Sequence, residues 1–131
     1  MKKILLLVVM FCVTNIISAE VLKLTAYEFA YKASNDYGWS DWSEWDDCNI
    51  LVVIDSDRER ITIYSNSTQE FDIIEAEDSY VDSDGDEVLK FTCIDAEGLR
   101  CGIRFILKQS GSAQLYCDYN DLMYVYNVRN R

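Results

Sequence analysis

The chain has 131 residues, with 23 acidic side chains against 12 basic ones, five cysteines, no histidine and no proline. That length suits one ordinary domain, and the acidic balance makes nucleic acid and anionic membrane surfaces poor partners, since both would be repelled rather than release counterions. Without histidine there is no Ser-His or Cys-His pair and no imidazole metal ligand, so no catalytic residue, metal or cofactor is expected; carboxylate chemistry stays open among so many acids, although no pair stands out by its local context.

The first residues, Met1-Lys2-Lys3, put two positive charges ahead of the uncharged stretch Ile4 to Ile17, and Ser18-Ala19 supplies small residues. A basic start, an apolar middle too short for a comfortable membrane span and a small-residue end predict a secretory signal peptide over 1–19, cleaved after Ala19. Residues 20–131 are then a single domain that is secreted or periplasmic. Loss of Lys2 and Lys3 with the signal moves the formal charge from −11 to −13. A protein or glycan partner, basic if charged, is compatible with that surface. No later apolar stretch approaches membrane-spanning length, so no membrane insertion is expected after cleavage.

Beyond the signal, short β-branched and aromatic runs alternate with polar turns about every ten residues, the spacing of an antiparallel meander. Eight strands are predicted. Val21 to Lys32 alternates Leu22, Leu24 and Ala26 with Lys23 and Thr25 before the aromatic set Tyr27, Phe29 and Tyr31. Asn49 to Asp55 holds the unbroken run Ile50-Leu51-Val52-Val53-Ile54, which predicts a strand covered on both faces. Arg60 to Ser65 turns Ile61 and Ile63 inward, and Glu70 to Ala76 does the same with Phe71 and Ile73, the doubled Ile73-Ile74 marking a bulge. Glu87 to Asp95, Arg100 to Lys108, Ala113 to Tyr119 and Leu122 to Val128 complete the set.

The turns carry their own chemistry. Ala96-Glu97-Gly98 fits a three-residue hairpin loop with Gly98 in the left-handed conformation. That register sets Cys93 opposite Cys101, and a turn centred near Ser110 sets Cys117 opposite Ile103. The loop Asp82 to Asp86 alternates acids around Gly85 but lacks the ligands that an EF-hand needs before and after it, so it reads as a polar hairpin loop. Asn66-Ser67-Thr68 satisfies the glycosylation tripeptide.

Export permits disulfides, and Cys48, Cys93, Cys101 and Cys117 make an even set. Cys93–Cys101 with Cys48–Cys117 is the preferred pairing, Cys101–Cys117 is the rival, and free buried thiols are the plain alternative.

The most conspicuous segment is Trp39-Ser40-Asp41-Trp42-Ser43-Glu44-Trp45-Asp46-Asp47-Cys48. Its Trp-x-x-Trp-x-x-Trp-x-x-Cys spacing resembles the opening of a thrombospondin type 1 repeat, but the segment that follows has neither that family's second cysteine motif nor its arginine-bearing strand. Two physical readings remain. Tyr37, Trp39, Trp42 and Trp45 present flat apolar faces beside carboxylates, as ligand-binding surfaces do, or the rings fold back over one end of the sheet and close the core.

The export signal, the tryptophan segment entering Ile50-Leu51-Val52-Val53-Ile54-Asp55, the strand Ile61-Thr62-Ile63-Tyr64-Ser65 and the ending Asp118-Tyr119-Asn120-Asp121-Leu122-Met123 together resemble small secreted proteins of gut Bacteroidales. That resemblance implies no activity. The architecture expected is all-β, an antiparallel meander of about eight strands forming a small calycin-like barrel or a two-sheet sandwich. The function expected is a binding or interaction module, an inhibitor being one version, that engages a protein or glycan through the tryptophan segment. The alternatives are a calycin-like carrier of a small apolar ligand and a structural component of an envelope assembly.

Overall fold

The computed structural model describes residues 21–131, so the expected signal peptide and its cleavage point lie outside the described residues. Ten strands form: β1 (Val21–Asn35), β2 (Gly38–Trp39), β3 (Asp46–Asp55), β4 (Arg60–Tyr64), β5 (Gln69–Ala76), β6 (Tyr80–Val81), β7 (Glu87–Asp95), β8 (Arg100–Leu107), β9 (Ala113–Asp118) and β10 (Leu122–Asn130). Eight of them wrap in the order β1, β3, β4, β5, β7, β8, β9, β10, each antiparallel to the next, and β10 pairs back onto β1. The result is a closed up-and-down barrel. The two short strands hang from it, β2 on the end of β1 and β6 on the start of β7.

Closure decides between the two expected architectures. The β1–β10 ladder runs from Leu24 opposite Asn130 to Ala33 opposite Leu122, while β1 also pairs with β3 from Val21 to Phe29. A sandwich would leave the outer edges of β1 and β10 as bare N–H and C=O groups, and here they satisfy one another.

Alternation along each strand fills the inside. Leu24, Val52, Ile61, Ile63, Phe71, Ile103 and Leu115 are fully buried and belong to one cluster. An eight-stranded barrel is just wide enough for inward side chains of this size to meet at its axis. The run Ile50–Ile54, expected to be covered on both faces, is buried on one: Val52 and Ile54 point inward, and Leu51 and Val53 lie half-buried on the outer wall opposite Tyr64 and Thr62.

The predicted hairpin register holds. Gly98 has φ 85°, the Asp95 amide donates to the Leu99 carbonyl, Cys93 faces Cys101, and Cys117 faces Ile103. The expected bulge in β5 falls between Ile73 and Glu75. The disulfides are the correction. Cys48, Cys93, Cys101 and Cys117 are all free thiols. Cys48 turns to the Ala26 carbonyl, with β1 and β10 lying between its strand and that of Cys117. Cys93 and Cys101 are directly opposed, a position at which a bridge strains the disulfide geometry, and both pack into the core as small apolar groups.

Because the centre is filled to contact, truncating it leaves a cavity that a closed barrel has little freedom to collapse. Leu115→Ala is expected to cost about 2–5 kcal/mol, read as a lower urea midpoint with an unchanged m-value.

Candidate functional site

The connections from β1 to β3, β4 to β5, β7 to β8 and β9 to β10 all emerge at one end of the barrel, and the wall there is aromatic. A bulge between Ala26 and Glu28, present in both pairings of β1, makes it so. Below the bulge the inward residues are Leu24 and Ala26; above it the parity switches, and Phe29 and Tyr31 turn toward the lumen side. Phe29 stands opposite Tyr126 and Tyr31 opposite Tyr124 on β10. Tyr119, just past β9, completes the set. Tyr119 and Tyr124 stack with centroids 6.4 Å apart, Tyr124 and Tyr126 meet edge to face at 5.8 Å, and Phe29 leans on Tyr126 at 6.3 Å.

Hydrogen bonds hold these rings from behind. The Tyr124 hydroxyl donates to Gln69 Oε1, and Gln69 Nε2 donates to Ser65 Oγ at 2.9 Å and to the Tyr126 hydroxyl at 3.3 Å. The Tyr119 hydroxyl donates to Asp95 at 2.8 Å, and Asp95 also accepts the Leu99 and Glu97 amides at 2.8 and 3.0 Å. Those amide bonds favour the ionised carboxylate and hold Asp95 below its ordinary value. Burial does the opposite to the phenols. It raises Tyr119 and Tyr124 well above the ordinary tyrosine range and pushes Tyr126 up to about 12. Beneath them lie the thiols of Cys93, Cys101 and Cys117, and burial pushes Cys93 up to about 12 and Cys117 well above its ordinary value. As thiols rather than thiolates they are poor nucleophiles and poor metal ligands.

The rings border a wide-open recess of about 570 Å³, with Glu97, Leu99, Asp121 and Leu122 on its rim. A second recess of about 510 Å³ lies on the other side of Phe29 and Tyr126, toward Cys48, Tyr64 and Asn66. Either volume is in the range of small-molecule sites.

The tryptophan segment takes neither of its expected courses unchanged. It is extended rather than helical, and it runs back along β1 on the outer wall instead of closing an end. Its Ser-x-x-Ser spacing explains the docking. The Ser40 and Ser43 amides donate to the carbonyls of Ala33 and Tyr31 at 2.8 Å, and their hydroxyls accept the amides of the same two residues at 3.1 and 2.9 Å. The Lys32 ammonium sits over both Trp39 and Trp42, 5.4 and 4.7 Å from the ring centroids. Trp42 meets Tyr116 edge-on at 6.1 Å; Arg104 stacks on Tyr116 at 4.2 Å and is clamped by both oxygens of Asp118. Behind this layer Ala30 and Val125, paired outward-facing residues, are only 2% and 1% exposed. Trp39, Trp42 and Trp45 each keep 40–44% of their surface, and Tyr37, at the tip of the turn, keeps 98%.

Of the residues expected to bind, the structure thus brings Trp39 and Trp42 together around Lys32, leaves Tyr37 at a loop tip, and places none of the four in the cavity. The residues that do line it, Phe29, Tyr31, Tyr119, Tyr124 and Tyr126, carried a sequence signal in the alternation of Tyr124 and Tyr126 along the last strand. At the opposite end of the barrel, oxygens of Asp82, Asp84 and Asp86 lie within 4.8 Å of one another. They are engaged in the turn: Asp82 accepts the Asp84 and Asp86 amides, and Asp86 accepts the Gln109 amide and faces Lys108.

Fold and site together define a closed eight-stranded antiparallel barrel with an aromatic recess at one end. No family model, no curated protein and no solved structure matches the chain.

Two outcomes test this description. Cys93 and Tyr126 have ordinary values of 9.0 and 10.0 and folded values of about 12, so the folded state favours their neutral forms. Their contribution is complete below about pH 9 and is lost as pH rises toward 12, by roughly 1.4 kcal/mol per pH unit for each group titrating only in the unfolded chain. Urea midpoints measured between pH 8 and 11 should fall accordingly, and less steeply in Cys93→Ala. Trp42→Ala, which uncovers Val125 and strands Lys32, is expected to cost about 2 kcal/mol in the same assay at pH 7.

Proposed function

We propose that this protein is an exported binding protein that takes a small ligand with a flat or apolar body into the aromatic mouth of its barrel, in the manner of a calycin-like carrier. The observation that carries this reading is the change in the interior along the barrel axis. Up to the level of Phe71 and Leu115 the lumen is filled; above it the inward side chains line a space of about 570 Å³ instead of occupying it. Carriers of this architecture hold ligands in the lumen, and here the deep lumen is closed, so the ligand sits at the entrance. The rings are pre-positioned by Gln69 and Asp95, which lowers the ordering cost of binding.

Engagement of a protein or glycan through the tryptophan segment is the second reading, and the 40–44% exposure of the three indoles favours it. Against it stands their use as a cover for the outer wall. A saturation experiment with the neutral fluorophore N-phenyl-1-naphthylamine separates the two. Binding at one site, weakened about ten-fold by Tyr31→Ala or Leu122→Ala and unchanged by Trp39→Ala, supports the mouth. Loss of binding only in Trp39→Ala transfers the role to the segment, and an absence of saturable binding removes the small-ligand reading.

A further inference from the structure

The mouth has a sign as well as a shape. Three of the residues that line it, Asp95, Glu97 and Asp121, are acidic, and none of the others is basic. Lys32, on the outward face of the same stretch of β1, is held between Trp39 and Trp42. Backbone amides favour the ionised form of Asp95, and burial raises the phenols of Tyr119 and Tyr124 further above an ordinary value at which they are already neutral. A cavity with carboxylates at its edge and no internal counter-charge repels anions and raises the local concentration of cations.

The walls favour the same sign. A neutral phenol ring presents a negative face to its surroundings, and Tyr124 stands at 88° to Tyr126 while lying within 23° of parallel to Tyr119. These contacts gather three electron-rich rings at the edge of one opening, and aromatic rings gathered in this way attract ammonium groups. A bare metal ion is a poor match, because the close set of carboxylate oxygens among the described residues is Asp82, Asp84 and Asp86, at the far end of the barrel. A volume of about 570 Å³ leaves room for an organic body attached to the charge.

We infer that the ligand of the barrel mouth is a small organic cation, an amine or quaternary ammonium compound, whose charged head sits among the rings of Tyr119, Tyr124 and Tyr126 beside the carboxylates of Glu97 and Asp121. This rests on the reading of the mouth as the ligand site. It adds a requirement that an apolar carrier does not have: an uncharged molecule of the same shape must bind less well.

Phenyltrimethylammonium and its uncharged isostere tert-butylbenzene differ in little but the charge, and both can be competed against N-phenyl-1-naphthylamine bound to the full chain. The ammonium compound is expected to displace the fluorophore at a concentration roughly ten-fold below that of the isostere. Raising the salt concentration should narrow that gap, and so should the paired change Glu97→Gln with Asp121→Asn. Equal potency of the two competitors, or failure of the ammonium compound to displace bound fluorophore, overturns the cation assignment and leaves the mouth as an apolar site. If the fluorophore does not bind, the mouth itself is not the ligand site and the assignment falls with it. The comparison of isosteres on the unmodified chain decides the matter even if the double variant folds poorly.

Discussion

The first strand pairs along both of its edges, with β3 on one side and β10 on the other, and one extra residue sits within it. Pairing on both edges closes the barrel, because β10 brings the end of the chain back across about a hundred residues to the strand that began it. The extra residue at the bulge then turns the upper half of the strand over. Without it, Leu24, Ala26, Glu28 and Ala30 would form one inward series, and a carboxylate would enter the lumen unpaired. With it, Glu28 faces outward and accepts a hydrogen bond from Asn127, which also accepts one from Gln114. Phe29 and Tyr31 take the inward places. A single inserted residue thus converts the top of an aliphatic core into an aromatic mouth.

The price of that mouth falls on stability. The lower barrel gains from each inward side chain it buries, whereas the upper barrel buries phenol hydroxyls that must each find a partner. Gln69 serves two of them and Asp95 the third, and both lie where strands meet turns, positions that can reach across the end of a barrel. The thiols beneath extend the apolar floor without demanding partners of their own.

Where the sequence was informative, the information was local. Alternation located all eight barrel strands, Gly98 fixed the β7–β8 hairpin, and from that register the facing of Cys93 with Cys101 and of Cys117 with Ile103 followed by counting. The doubled isoleucine exposed the β5 bulge. The β1 bulge had no such mark, because Tyr27 and Tyr31 suit either face of a strand and their parity is set only by what lies opposite. Closure was hidden for a related reason. The ladder of Leu24–Ala33 with Leu122–Asn130 joins the two ends of the domain, and no local pattern distinguishes a last strand that returns to the first from one that packs beneath it.

The tryptophans drew attention because they are rare and evenly spaced, yet the tyrosines have the better credentials for a ligand site. An indole has one donor and no acceptor, so Trp39 and Trp42 are well suited to lie flat over a cation and shield Ala30 and Val125. A phenol combines a ring face with a hydroxyl that can be tied down at its far end, and a tied ring is a wall rather than a flap. Tyr119, Tyr124 and Tyr126 are tied in this way, and Trp39, Trp42 and Trp45 show no side-chain hydrogen bond of the same kind among the described residues. The same three serine-and-lysine anchors that hold the tryptophan segment, Ser40, Ser43 and Lys32, fix the backbone of β1 at Tyr31 and Ala33, at the lip of the mouth. The segment therefore contributes to the site by bracing the strand that carries one of its walls, and its own rings remain outside.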